Sequence, residues 1–93
     1  MATTVAVRLV SDDARAFALE VRVGGGGTET VHSVVLQAEL LARLSPRERP
    51  QDFVKRCFEF LLEREPRESI LRRFDVAAIG GYFPEFEGKI ARP

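Results

Sequence analysis

A change of period at Leu36 constrains this chain more than any other feature. Before it, Phe17, Leu19, Val21 and Val23 fall on one side of a run whose other side carries Ala18, Glu20 and Arg22. Alternation of this kind predicts a half-buried antiparallel strand with one wet face. After it, Leu36, Leu40, Leu41 and Leu44 recur at helical spacing. A run of strands followed by a run of helices places the chain in the α+β class.

The remaining elements follow from local chemistry. Residues 5–10 (VAVRLV) alternate weakly, with Val5, Val7 and Leu9 on one face, and Ser11-Asp12-Asp13 is a turn cluster. Residues 30–36 (TVHSVVL) are rich in β-branched side chains, and Gly24 to Gly27 join them to the preceding strand as a loose hairpin connection. Ser45-Pro46-Arg47-Glu48 has the form of a capping box, but Pro50 pushes its predecessor away from helical angles. Residues 45–49 therefore read as a turn and Pro50 as the first residue of the main helix. Phe53, Val54, Cys57, Phe58 and Leu61 form that helix's core stripe, widened by Phe60 and Leu62.

Pro66 ends this helix and opens another, with Ile70, Leu71 and Phe74 on its apolar side. Asp75 is positioned to cap a further short helix that Gly80-Gly81 terminates, and Pro84 keeps Tyr82 to Phe86 extended or turned. The expected architecture is one α+β domain over residues 1–93. A three-stranded antiparallel meander (about 4–10, 16–23 and 30–36) precedes helices at about 37–44, 50–64, 66–74 and 76–80.

Composition excludes several classes. Ninety-three residues, 45% hydrophobic and 30% charged, suit a single globular core rather than a disordered chain. No apolar run approaches the ~20 residues a bilayer requires, so no membrane association is expected. The start, MATTVAVRLV, lacks the basic region, long apolar run and cleavage site of a secretory signal. One cysteine permits no intrachain disulfide, and a cytoplasmic location follows as the simplest expectation. Net charge is zero but unevenly spread: residues 43–73 carry nine basic against six acidic side chains. A chain with no overall basic excess lacks the usual footprint of nucleic-acid binding.

Seven of the eight aromatic residues lie between Phe53 and Phe86. From Cys57 onward the text CFEFLLEREPRESILRRFDVAAIGGYFPEFE resembles the C-terminal block of a family of small uncharacterised bacterial proteins. Its most specific pieces are Phe74-Asp75 and the ending Tyr82-Phe83-Pro84-Glu85-Phe86-Glu87. The resemblance implies a bacterial origin and a short β-rich N-terminus before these helices. It brings no activity, cofactor or site residue.

Candidate chemistry is sparse. His32, the only histidine, has Ser33 and Glu29 nearby, but neighbouring strand positions point to alternate faces and cannot converge on a reaction. Cys57 falls in the core stripe, where a thiol is a small apolar group rather than a nucleophile. The four glycines join strand to strand, whereas a phosphate loop leads from strand to helix, so a mobile hairpin tip is expected. Glu59 and Glu63 lie one turn apart, but Lys55 and Arg56 accompany them in the manner of a solvated helix face. No enzyme, metal or cofactor is expected.

Two surfaces remain. One is the aromatic set Phe60, Leu62, Tyr82, Phe83 and Phe86: the rings of Tyr82, Phe83 and Phe86 are expected first to cover the core, and the set is also suited to pairing with another protein or a second copy of the chain. The other is the Arg-rich face of Arg64, Arg67, Arg72 and Arg73, the basis of an alternative reading as a weak nucleic-acid binder. Interleaved Glu63, Glu65 and Glu68 count against the second. The function expected from sequence is that of a small protein-interaction or structural module.

Overall fold

The computed structural model describes residues 3–93. Strands β1 (Thr4–Asp12), β2 (Ala16–Gly25) and β3 (Thr28–Gln37) form the antiparallel meander, each paired with its neighbour in sequence. A bulge interrupts β1 between Leu9 and Ser11. Asp13 stabilises the first turn, its Oδ1 accepting from the N–H groups of Arg15 and Ala16 at 2.7 and 2.9 Å.

The second turn is tighter than a loose glycine loop. Gly24 and Gly25 belong to β2, and only Gly26 (φ 63°) and Gly27 (φ 86°) form the bend. Two consecutive positive φ values are those of a type I′ turn, whose twist matches that of the flanking strands. The strands consequently reach two residues further toward the tip on each side than alternation alone predicts.

Helices α1 (Ala38–Leu44) and α2 (Pro50–Leu62) follow, with Pro50 at the start of α2 as expected. Leu19, Val21, Val23, Val34 and Leu36 face α2 from the sheet, and Phe53, Val54, Cys57, Phe58 and Leu61 answer from the helix. The opposite sheet face is wet. There Glu20 lies between Arg8 (3.5 Å) and Arg22 (3.2 Å), and Arg22 also reaches Glu29 at 2.8 Å.

Beyond α2 the expected helix over 66–74 does not form. Pro66 opens a single 3₁₀ turn (Arg67–Ser69), and the chain then extends into a fourth strand, β4 (Arg73–Asp75), lying parallel to β3. The sheet order is β1-β2-β3-β4, so the sheet is mixed rather than a three-stranded meander. Residues 38–72 supply the long crossover that parallel neighbours require. Phe74 points inward, its ring 5.9 Å from Phe58, which a strand satisfies as well as a helix.

Asp75 caps as expected, its Oδ1 accepting from the Ala77 N–H at 2.9 Å. A 3₁₀ turn (Val76–Ala78) leads into α3 (Ile79–Tyr82), so the helix ends at Tyr82, past the two glycines. Phe83 is extended before Pro84, and α4 (Phe86–Ile90) closes the chain with Phe86 and Ile90 buried.

Candidate functional site

Polar side chains from distant parts of the sequence hold the C-terminal segment. His32 is fully buried on the inner face of β3. Its Nδ1–H donates to the Leu71 carbonyl at 2.8 Å, and its Nε2 accepts from the Thr30 hydroxyl at 2.9 Å. The ring stands edge-on to Phe58, with centroids 5.3 Å apart. Burial pushes the imidazole pKa below 6.5; the Leu71 carbonyl opposes this and the Arg72 charge adds to it. A neutral imidazole that ties β3 to the entry of β4 is a structural pin.

A second pin lies at the other end of α2. Ser45 donates to Glu48 at 2.8 Å, and Glu48 accepts from Nε of Arg56 at 2.8 Å, forming a two-pronged pair with it. Arg56 Nη1 then donates to the Ile90 carbonyl at 2.9 Å, fastening α4. The Arg56 guanidinium holds the Glu48 carboxyl below its ordinary range, against the opposing effect of burial. Cys57, one position on, is buried, and desolvation drives its thiol pKa far up, the reverse of a reactive thiolate.

The expected aromatic surface divides in two. Phe60, Phe83 and Phe86 come together edge to face, with Phe60 centroids 5.8 Å from Phe83 and 5.1 Å from Phe86. Phe60 and Phe86 are buried, so neither offers a free surface in the monomer. The Arg64 guanidinium lies 3.6 Å over the Phe60 ring and pairs with Glu85 at 3.2 Å. Leu62 is half-buried on a different flank of α2, beside Thr4 and Val5. Only Tyr82 projects, 70% exposed.

The expected Arg face divides as well. Arg64 is held by Phe60 and Glu85, and Arg67 donates to the Gly25 carbonyl at 3.4 Å and to the Thr28 hydroxyl. Arg67 thus clasps the glycine turn, giving that turn a partner within the fold. Arg72 and Arg73 are exposed and make no ion pair among the described residues.

A groove of about 180 Å³ opens between the end of α2, residues 69–74 and residues 78–83. Buried Leu61, Ile70 and Ile79 line it together with Phe74, while Leu71 (53% exposed) and Tyr82 stand at its rim. Glu65 is the only charged residue lining it among the described residues, and Ser69 adds a hydroxyl. Tyr82 belongs to the aromatic set expected from the sequence, whereas Leu71, expected on the apolar side of a helix over 66–74, lies on extended backbone. Leu71 faces out because Ile70 turns in and extended backbone sends neighbours to opposite sides.

No three His, Cys, Asp or Glu side chains are grouped to hold a metal among the described residues, and none of the described helices is long and apolar enough to cross a membrane. Comparison with known proteins found no matching family model, no matching curated protein and no matching solved structure.

Proposed function

We propose that this chain is a small cytoplasmic protein-interaction module that seats one apolar side chain of a partner protein in the groove beside β4. The observation that carries the reading is the exposed pair Leu71 and Tyr82 standing over a floor of buried Leu61, Ile70 and Ile79. Apolar surface gathered in one place and edged by polar groups marks interaction sites, and tyrosine is a frequent anchor there. A cavity of ~150 Å³ holds a benzene ring, so a groove of about 180 Å³ matches one Leu, Met or Phe side chain. Glu65 at its wall favours a basic residue next to that anchor.

Selection from a displayed peptide library tests this. Enriched peptides should share an apolar anchor adjacent to Lys or Arg, and a Tyr82→Ala chain should lose them while staying folded. Peptides that bind the Tyr82→Ala chain as well as the native chain would refute the groove as the site.

The alternative, weak nucleic-acid binding through residues 43–73, draws support from the free guanidinium groups of Arg72 and Arg73. It is the weaker reading, because Arg64 and Arg67 are engaged within the fold and Phe74 is turned onto Phe58. Two phosphate contacts predict a log–log salt slope of about −1.4 for single strands and about −1.8 for duplex DNA. Oligonucleotides that fail to bind even at low salt remove this alternative.

A further inference from the structure

β1 is paired only with β2, so the N–H and C=O groups along its other edge meet no strand among the described residues. Its inward side chains Val5, Val7 and Leu9 pack on the core yet stay half-buried, because no strand among the described residues covers them beyond the edge. Above this edge runs the flank of α2 that carries Lys55, Glu59 and Leu62, leaving an open notch against Thr4 and Val5. Lys55 and Glu59 are exposed, one turn apart, and neither joins an ion pair among the described residues.

We propose that a second copy of the chain fills this notch, the two β1 strands pairing antiparallel about a two-fold axis through Val7. Opposed residues in an antiparallel pair project to the same face. Centring on Val7 sets Val5 against the partner's Leu9 and Ala6 against the partner's Arg8. Apolar thereby meets apolar on the inner face, and the two guanidinium groups stay apart. Centring one residue later would stack Arg8 on its own copy, and the bulge after Leu9 closes the pairing at that end.

The helices fit the same axis. Val7 lies level with Val21 and, beyond it, His32 across the sheet, and the His32 ring meets Phe58 of α2. The axis then passes α2 near position 57, which sets Lys55 against the partner's Glu59 and Glu59 against the partner's Lys55. Charges left unmatched within one copy are matched between two. This association is independent of the groove that Tyr82 borders.

Sedimentation equilibrium of the full chain over concentrations up to about 1 mM tests the proposal. The native chain should form a dimer, and Lys55→Glu should weaken it roughly tenfold by placing like charges together at two symmetric points. The double variant Lys55→Glu/Glu59→Lys should restore native affinity, and Tyr82→Ala should leave it unchanged. Circular dichroism checks that each exposed substitution keeps the fold. A native chain that stays monomeric, a double variant that fails to restore association, or a dimer dissolved by Tyr82→Ala each overturns the proposal.

Discussion

The meander and the segment that follows Pro66 are held together in opposite ways. In the meander each strand pairs with the next in sequence, and the β2–β3 ladder runs unbroken from Ala16–Gln37 to Gly25–Thr28 around a two-residue turn. Past Pro66 the one strand has three residues and the longest helix five. Helices that short cannot hold themselves, because nucleation costs more than a turn or two returns. Side chains from elsewhere hold them: His32 bonds Leu71, Gln37 bonds Asp75, Arg56 bonds Ile90 and Arg43 clasps Glu87. A segment fixed by pins need not bury every apolar side chain, and Leu71 and Tyr82 are the ones it leaves out. The candidate docking face thus follows from how the C-terminal segment is anchored.

Stability depends most on the point where the two regions meet. Phe58 touches both His32 on β3 and Phe74 on β4, so Phe58→Ala should lower stability by about 3–5 kcal/mol. Urea denaturation should show one cooperative transition shifted as a whole. Two separated transitions, only one of them moved, would break the idea that this ring joins the regions.

Removing a pin should cost less and act locally. Arg56→Ala leaves Glu48 partly buried without its partner and the Ile90 carbonyl without its donor, a loss of about 1–3 kcal/mol. Amide exchange should accelerate in residues 84–92 more than in β2 and β3. Uniform acceleration through the sheet would show that α4 is not separately fastened.

The His32 pin carries a pH signature. Its folded pKa lies below the unfolded value near 6.5, so near and below 6.5 the unfolded chain binds more protons than the folded one. The stabilising contribution is therefore complete above that pH and declines as pH falls through the folded value. Glu48, Glu85 and Glu87, held below 4.5 by arginine partners and, for Glu85, first by a backbone hydrogen bond, act only at lower pH. Denaturation midpoints should fall between about pH 7 and 5, and His32→Gln should flatten that slope. A slope unchanged in His32→Gln assigns the effect to other groups.

The contrast between the regions also governs what could be read from the sequence. Meander, α1 and α2 were legible because side-chain period reports burial directly: Leu19, Val21 and Val23 alternate, and Phe53, Cys57 and Leu61 recur at helical spacing. The stretch through Phe74 misled because Ile70, Leu71 and Phe74 satisfy a helix pattern, while the parallel pairing of Val34 with Phe74 leaves no local trace. The missed α4 had a signal in Phe86 and Ile90 four apart with Glu87 in the first turn, which Pro84 obscured. No pattern pointed to the bond from His32 to Leu71, since a buried imidazole and a solvated one look alike in sequence. Of the groove, only Tyr82 was legible as a surface aromatic. Its floor requires residues from α2, the extended stretch and α3 to meet in space.

Leu71 and Tyr82 contribute least to stability, so substituting them separates docking from folding. In the variant Leu71→Ser/Tyr82→Ser, melting should stay within about 2–4 °C of the native chain, as for surface substitutions. Measured by calorimetric titration, affinity for a selected peptide with an apolar anchor beside a basic residue should fall at least ~tenfold, as expected when an anchoring contact is lost. A variant that binds that peptide undiminished, or melts as low as Phe58→Ala, would contradict the separation of docking face from fold.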